Sequence, residues 1–90
     1  MYALRWHLQT KKQLRLVPTW VERDIAENIL DLKDEPYPPG AEELRDHFSG
    51  TWKLKVDGWR IFYAVDEARQ IVNILAVKRR TPNTYTHLYD

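Results

Sequence analysis

Two runs of alternating apolar and polar residues flank an Asp57-Gly58 pair in the second half of the chain. An Asp-Gly pair favours the type I′ turn, in which both central residues adopt positive φ and the two strands pair directly. The sequence therefore predicts an antiparallel hairpin whose register is set by this turn. The predicted cross-strand pairs are Val56 with Trp59, Lys55 with Arg60, Leu54 with Ile61, Lys53 with Phe62, and Trp52 with Tyr63.

This register gives the hairpin two chemically different faces, because directly opposed residues share a face. The apolar face is expected to pack against helices, and it carries Trp52, Leu54, Val56, Trp59, Ile61 and Tyr63. The second face carries Lys53, Lys55, Arg60 and Phe62. A lysine opposite an arginine destabilises a sheet, and a bound polyanion would remove that cost. The alternative is a solvated face whose lysines limit aggregation.

The first half of the chain predicts one strand and two helices. Residues 2–8 alternate in the manner of a half-buried strand, and residues 9–16 form a short helical segment. Thr19 and Glu22 have the spacing of a capping box, which would start a second helix ending before Pro36. The buried stripe of that helix is formed by Val21, Ile25, Ile29 and Leu32.

The second half completes an α+β fold. A short helical turn over residues 41–48 is expected to direct Leu44 and Phe48 inward. After the hairpin, residues 70–77 form a third strand with apolar residues on both faces, as in a central strand. The prediction is a small antiparallel sheet, made of one strand, two helices and then a three-strand meander, with the helices packed on one face.

Composition limits the chain to one domain over residues 1–90, because 90 residues leave no room for a second. The 43% hydrophobic and 30% charged residues exclude a disordered chain. No apolar run reaches the ~20 residues of a membrane span. Because the first residues lack the apolar run of a signal peptide, we expect none. Without cysteine, and with three scattered histidines, the sequence predicts no metal and no cofactor. We expect a cytoplasmic protein.

The net charge of +1 conceals a strong polarisation along the chain. Residues 17–50 hold nine acidic and three basic side chains, whereas residues 51–80 hold seven basic and three acidic ones. A basic segment with interleaved aromatic residues indicates a polyanion site. In the first sixteen residues, contacts to RNA and a solvated helix face are equally consistent with the cations Arg5, Lys11, Lys12 and Arg15.

The segment from Gly50 to Tyr63 resembles the hairpin of RelE/ParE-type toxins, the toxic halves of bacterial type II toxin–antitoxin pairs. It has a basic-apolar-basic strand, a glycine turn, and an aromatic residue followed by arginine, two apolar residues and tyrosine. The run Val77-Lys78-Arg79-Arg80 resembles the basic end of the family's last strand, and Tyr85 follows Arg79 by six residues. The resemblance covers nearly the whole chain.

The resemblance favours the RelE branch, which cleaves messenger RNA in the ribosomal A site without a metal. It implies a catalytic set of Lys53, Lys55, Arg60, Arg79 and Tyr85, with the cations on one surface. Further RNA contacts are expected from Lys78, Arg80, Phe62, Arg5, Lys11 and Lys12. The implied partners are a cognate antitoxin, the ribosome with its messenger RNA, and operator DNA bound through the antitoxin complex, all in the bacterial cytoplasm.

Roles for these residues follow from the chemistry of 2′-hydroxyl attack. Lys53 or Lys55 acts as the base or polarises the hydroxyl, and Arg60 holds the scissile phosphate. Arg79 stabilises the leaving oxygen, while Tyr85 stacks on or orients a base. Some relatives use a Glu or His general base, but the sequence matches no residue of this chain to that position.

Three other functions fit the same sequence. The first is a ParE-type poison of DNA gyrase, which needs no cleavage set. The second is a binding module that holds RNA or DNA without cleaving it, with an affinity that falls steeply as salt rises. The third is an inactive toxin that keeps only the fold.

Overall fold

The computed structural model describes residues 1–80, so the predicted base-stacking residue Tyr85 lies outside the described part of the chain. Two α-helices and five strands follow one another, with a 3₁₀ turn at Asp46–Phe48 before the third strand. The elements are β1 (Ala3–Trp6), α1 (Leu8–Leu14), α2 (Thr19–Asp31), β2 (Glu42–Glu43), β3 (Trp52–Val56), β4 (Trp59–Asp66) and β5 (Ile71–Arg79). The predicted α+β class is confirmed.

The five strands form one sheet in the order β1-β5-β4-β3-β2. Strands β3, β4 and β5 make the predicted antiparallel meander, but β1 pairs with β5 in parallel, so the sheet is mixed. The prediction of an all-antiparallel sheet was wrong in this detail. Because both helices separate β1 from the meander, no tight turn dictates the direction in which β1 pairs.

The β3–β4 hairpin has the predicted register at all five pairs, from Val56 opposite Trp59 to Trp52 opposite Tyr63. Asp57 and Gly58 both have positive φ, at 47° and 80°, as a type I′ turn requires. Local turn chemistry is therefore sufficient to align these two strands. Between β4 and β5 the register shifts at Phe62/Tyr63, where Leu75 is the extra residue of β5.

Helix α2 begins one residue earlier than the predicted capping box requires. Thr19 is already helical, and Pro18 occupies the N-cap position without a side-chain hydrogen bond. The amides of Val21 and Glu22 donate instead to the Pro18 carbonyl, each at 2.9 Å. The capping-box prediction was wrong because a residue inside the first turn cannot cap that turn. The predicted stripe of α2 is confirmed, with Val21, Ile25, Ile29 and Leu32 at most 1% exposed.

The main core lies between α2 and one face of the sheet, which we call the inner face. Its strand residues include Leu54, Ile61, Tyr63, Val72 and Ile74. On the opposite, outer face, a smaller cluster joins Leu44, Phe62 and Ala76, with Phe48 packed against it. Among residues 1–80 no helix is long and apolar enough to cross a membrane.

Residues 42–50, which we call the flap, bring Leu44 and Phe48 onto the outer face. The flap is closed at its base by the Leu44 amide, which donates to the Thr51 carbonyl at 2.8 Å. Its first two residues form β2 and pair with β3. The predicted helical turn over residues 41–48 is therefore correct only for Asp46–Phe48, although both predicted apolar residues do face the protein.

Helix α1 replaces a missing strand along the middle of β5. The predicted first strand over residues 2–8 ends early, because β1 stops at Trp6, opposite Ile74. Beyond that point the Thr10 hydroxyl donates to the Ile74 carbonyl at 3.0 Å, and the Val77 amide donates to Gln13 Oε1 at 2.8 Å. The Gln13 side chain satisfies a backbone amide that would otherwise lie open at the edge, and Thr10 adds a second bond to the Ile74 carbonyl, which also accepts from the His7 amide at 3.2 Å.

Candidate functional site

A set of basic side chains crosses the outer face near the hairpin turn. The register places Lys55 opposite Arg60, and Arg60 opposite Lys78. Directly opposed residues share a face, so these three side chains form a row across three strands. Lys53 lies two residues from Lys55 on the same face of β3. We call this set, with the neighbouring Arg80, the outer-face cations.

Arg60 is the central and least exposed of these cations. Only 7% of the residue is exposed, and its Nη1 donates to the Trp59 carbonyl at 3.0 Å. Burial lowers the pKa of Arg60, the charge of Arg80 lowers it further, and Glu42 acts in the opposite direction. Because a guanidinium keeps its charge, Arg60 is a largely desolvated cation beside others of like sign. An anion bound on this face would be stabilised by all of them.

The two-residue strand β2 places a carboxylate next to the outer-face cations. Glu42 lies opposite Lys53, and its Oε2 is 3.5 Å from Lys53 Nζ. The Lys53 side chain is 12% exposed, whereas that of Glu42 is 58% exposed and so open to a ligand. Sequence reasoning did not place Glu42 in the site. A two-residue strand has no periodicity, so no pattern could have identified its pairing.

Arg79 does not belong to the surface on which it was predicted. It pairs with Trp59, whose side chain packs against the main core. Alternation along β5 therefore gives the outer face to Lys78 and the inner-face side to Arg79. The prediction that Arg79 shares one surface with Lys53, Lys55 and Arg60 was wrong in this respect. As the last residue of β5, Arg79 is nevertheless exposed to solvent.

Phe62 lies on the predicted face but is completely buried, with 0% exposure under the flap. Because Phe62 has no exposed surface, it cannot contact RNA, and its predicted role as an RNA contact was wrong. The flap is the reason, because it covers the position at which the hairpin alone would leave the ring exposed. Phe62 instead forms the centre of the outer cluster.

The predicted amino-terminal contacts are exposed but lie apart from the outer-face cations. Arg5 is opposite Asn73, so it shares the outer face at the far edge of the sheet. Lys11 lines a separate cavity of about 290 Å³ with Trp6, Leu14, Arg15 and Glu22. Lys12 is likewise on α1. The structure does not bring these three residues together with the hairpin cations.

Within residues 1–80 no group of three or more His, Cys, Asp or Glu side chains is arranged to hold a metal ion. The chemistry available on the outer face is that of lysine, arginine and carboxylate groups. Such groups can bind a phosphate, stabilise added negative charge and accept a proton from a hydroxyl.

The fold is similar to that of several solved toxins. The toxin–antitoxin complex RelBE2 from Mycobacterium tuberculosis contains a chain that is 26% identical, with a TM-score of 0.79 over 88% of this chain and 98% of that one. The archaeal RelE–RelB complex from Pyrococcus horikoshii gives 24% identity and a TM-score of 0.79, covering 90% and 97%. A YoeB/ParE toxin from Agrobacterium tumefaciens gives 19% identity and 0.76, covering 88% and 99%.

Sequence comparison leads to the same group of proteins. No curated protein sequence matches this chain closely enough to count as a relative. The family model for the ParE toxin of type II toxin–antitoxin systems matches residues 4–83, which is most of the chain. The chain therefore belongs to this family of toxins, and its fold is the one shared by the RelE and ParE branches.

Proposed function

We propose that the protein is the toxin of a type II toxin–antitoxin module and cleaves messenger RNA in the ribosomal A site. The observation that carries this proposal is the desolvated Arg60 in a row with Lys55 and Lys78. A row of like charges is unfavourable in a sheet, whereas a phosphate placed across it is favourable. Single-stranded RNA on the ribosome presents such phosphates with its bases accessible.

The cleavage step is attack of a ribose 2′-oxygen on the adjacent phosphorus. The new P–O2′ bond forms as the P–O5′ bond breaks, the 2′-hydroxyl gives up its proton, and the leaving 5′-oxygen takes a proton from water, which leaves a 2′,3′-cyclic phosphate and a 5′-hydroxyl. Arg60 and Lys78 stabilise the charge on the phosphorane. Lys53 or Lys55 polarises the hydroxyl, and the exposed carboxylate of Glu42 beside Lys53 is a second acceptor for its proton.

Two predicted residues act from the end of β5 and beyond it. Arg79 is exposed at the last position of the strand, and we assign its guanidinium to the leaving 5′-oxygen, which requires the RNA to cross the sheet edge there. Tyr85 stacks on a base of the message, as aromatic residues do with single-stranded RNA. The RNA would thus run over the edge of the sheet at which β5 ends.

The proposed partner of the free toxin is an antitoxin with an acidic segment. Solved relatives from Mycobacterium tuberculosis and Pyrococcus horikoshii are toxin–antitoxin complexes. The outer-face cations would bind such a segment by charge complementarity. Covering Arg60 and Lys55 would block access of RNA. Operator DNA would then be bound through the antitoxin.

A second candidate function is poisoning of DNA gyrase. It is favoured by the matched family model, which describes a ParE toxin. In that case the outer-face cations would serve binding rather than cleavage. Growth inhibition by the folded protein would then not depend on cleavage at the ribosome.

The deciding experiment adds the purified chain to ribosomes programmed with a defined message, and maps the new 5′ ends by primer extension. We expect cuts within the A-site codon, absent with free message and lost in Lys55→Ala and Arg79→Ala. Arg69→Ala is the matched control, because Arg69 is an exposed cation in the turn between β4 and β5, at the other end of β4 from the Asp57-Gly58 turn. No cleavage by a folded, growth-inhibiting protein, together with inhibited supercoiling by gyrase, would establish the second function instead.

A further inference from the structure

Helix α2 carries a second regular pattern on the side opposite the stripe that packs on the sheet. Trp20, Arg23, Glu27 and Leu30 follow one another at intervals of three, four and three residues. Because an α-helix has 3.6 residues per turn, this spacing keeps the four side chains on one side of the helix. All four residues are exposed, Trp20 by 76% and Leu30 by 54%. We call these four residues the α2 seam.

We infer that the α2 seam binds the same seam of a second copy of this chain, with the two helices antiparallel. Alternating intervals of three and four residues are those by which helices pair along their length in coiled coils. A helix face that is only solvated carries polar and charged side chains, whereas this face holds Trp20, the most exposed aromatic residue among residues 1–80. The inference does not depend on RNA cleavage.

The order of residues in the α2 seam makes it complementary to itself. Trp20 and Leu30 lie equally far from Ile25 along the helix, and so do Arg23 and Glu27. In an antiparallel pair with a twofold axis level with Ile25, Trp20 of each copy lies beside Leu30 of the other, and Arg23 lies beside Glu27. Twofold symmetry forms each of these contacts twice. One seam therefore supplies both partners of every contact.

Charge selects the antiparallel direction. Within one copy, Arg23 Nε lies 3.4 Å from Glu27 Oε1, with the two side chains 85% and 62% exposed, so both groups are open to a further partner. A parallel pair would place Arg23 beside Arg23 and Glu27 beside Glu27, which is repulsive. The antiparallel pair places each of these groups beside the opposite charge. At the neighbouring levels, Glu22 faces Asn28 and Asp24 faces Ala26, so no like charges oppose each other.

The two ends of α2 are also complementary in charge. At the start of the helix, Lys11 and Arg15 line the cavity beside its first turn. At and after the end of the helix, the exposed side chains include three carboxylates, those of Asp31, Asp34 and Glu35. The antiparallel arrangement brings the basic end of one copy to the acidic end of the other. Such complementarity speeds association and fixes the register of two surfaces.

The size of the contact predicts a weak dimer. The α2 seam extends over about 15 Å of helix, and its four residues with the flanking charges fall well short of the ~20–30 residues per side in a stable interface. The dimer should therefore form and dissociate reversibly with concentration. Because α2 covers the inner face of the sheet, the outer-face cations of both copies stay open and point away from each other.

The first test is sedimentation equilibrium of the full chain from micromolar to millimolar concentration. We expect a monomer–dimer equilibrium that Trp20→Ala weakens by about tenfold or more, because the contact is lost twice in each dimer. Leu8→Ala is the matched control, because Leu8 is 70% exposed on α1, outside the seam. A chain that stays monomeric would overturn the inference and leave the seam to a different protein. A dimer that Trp20→Ala does not weaken would overturn it as well.

The second test exchanges charges between copies. Arg23→Glu gives a seam with two carboxylates and Glu27→Arg gives a seam with two cations, so each variant alone should repel its own copy and stay monomeric. An equimolar mixture should form mixed dimers, because positions 23 and 27 of one variant then meet the opposite charges of the other. Both variants lack the pair within the helix, so recovery on mixing must come from contact between copies.

A charge reversal elsewhere is the control for this exchange. Arg5→Glu changes an exposed cation on the outer face and should dimerise like the unaltered chain. If the Arg23→Glu and Glu27→Arg variants stay monomeric when mixed, or if either dimerises alone as well as the unaltered chain does, the antiparallel pairing of the α2 seam is overturned.

Discussion

Ile61 and Phe62 are adjacent in β4 and both have no exposed surface, yet they are buried in different ways. Ile61 points to the inner face, where α2 and four strands contribute to a continuous core. Phe62 points to the outer face, where a single short flap covers it with Leu44, Phe48 and Ala76. One residue before them, Arg60 shares that outer face and keeps its charge there.

The difference shows how one small sheet can carry a folded core on one face and a charged surface on the other. On the inner face burial is collective, so each apolar residue is stabilised by several elements. On the outer face the buried cluster is limited to Leu44, Phe62 and Ala76, and the outer-face cations lie beside it. The thin cover allows the buried cation Arg60 to lie two residues from the fully buried Phe62 on the same face of β4.

Truncating Ile61 or Phe62 to alanine should give the largest effects on the free energy of unfolding. Ile61→Ala is expected to lower the free energy of unfolding by about 2–5 kcal/mol, and Phe62→Ala by about 3–5 kcal/mol, because each leaves a cavity. Urea denaturation measures both. If Phe62→Ala costs less than about 1 kcal/mol, the outer cluster is only a cover and the flap is not part of the folded core.

Replacing Arg60 should separate stability from function. Arg60→Met removes a desolvated cation whose pKa is lowered by burial and by Arg80. We expect the free energy of unfolding to stay equal or to rise by about 1 kcal/mol. Cleavage on ribosomes should fall by about 100-fold or more, because a donor to the phosphorane is lost. A variant that unfolds more easily would show that Arg60 serves the fold.

Relieving the like-charged pair on the outer face should have a smaller effect. Lys55→Gln removes the charge opposite Arg60, and should raise the free energy of unfolding by about 0.2–0.5 kcal/mol at low salt. Added salt should reduce the difference, because Lys55 is exposed and its charge is screened. A loss of stability that is independent of salt would contradict the repulsion.

The hydrogen bonds around Glu67 should make the free energy of unfolding depend on pH. Tyr2 and Tyr37 donate to the Glu67 carboxylate, and these hydrogen bonds lower the pKa of Glu67. A lowered folded-state pKa adds stability above the ordinary value of 4.5, and that stability is lost as pH falls through the folded pKa. The stability difference between the unaltered chain and Glu67→Gln should therefore shrink during acid titration.

At alkaline pH the same cluster should lose stability as pH rises, because the pKa of Tyr37 is raised rather than lowered. Burial, and then the bond to Glu67, raise the pKa of Tyr37 from 10.0 to about 12. A raised pKa means that the neutral phenol is favoured in the folded state, so its contribution is complete below pH 10 and is lost toward pH 12. Tyr37→Phe should reduce this alkaline dependence, as measured by urea denaturation, and leave the part that comes from Tyr63, whose pKa burial also raises to about 12.

Much of the fold could be predicted because the signals were local. The Asp57-Gly58 turn predicted every pair of the β3–β4 hairpin, and the spacing of apolar residues predicted the buried stripe of α2. The Thr19 capping box failed because Pro18 competes for the same position. The parallel pairing of β1 could not be predicted, since it depends on how two helices return the chain to the sheet.

By itself, the sequence determined the two faces of the hairpin, the residue types on each of them, and the family to which they belong. Turn geometry and side-chain periodicity act over a few residues, so they can be read without a structure. Only the tertiary structure decided that Glu42 meets Lys53, that Lys78 rather than Arg79 joins the row of Arg60, and that Phe62 is covered. Those contacts join segments distant in sequence, and packing alone selects them.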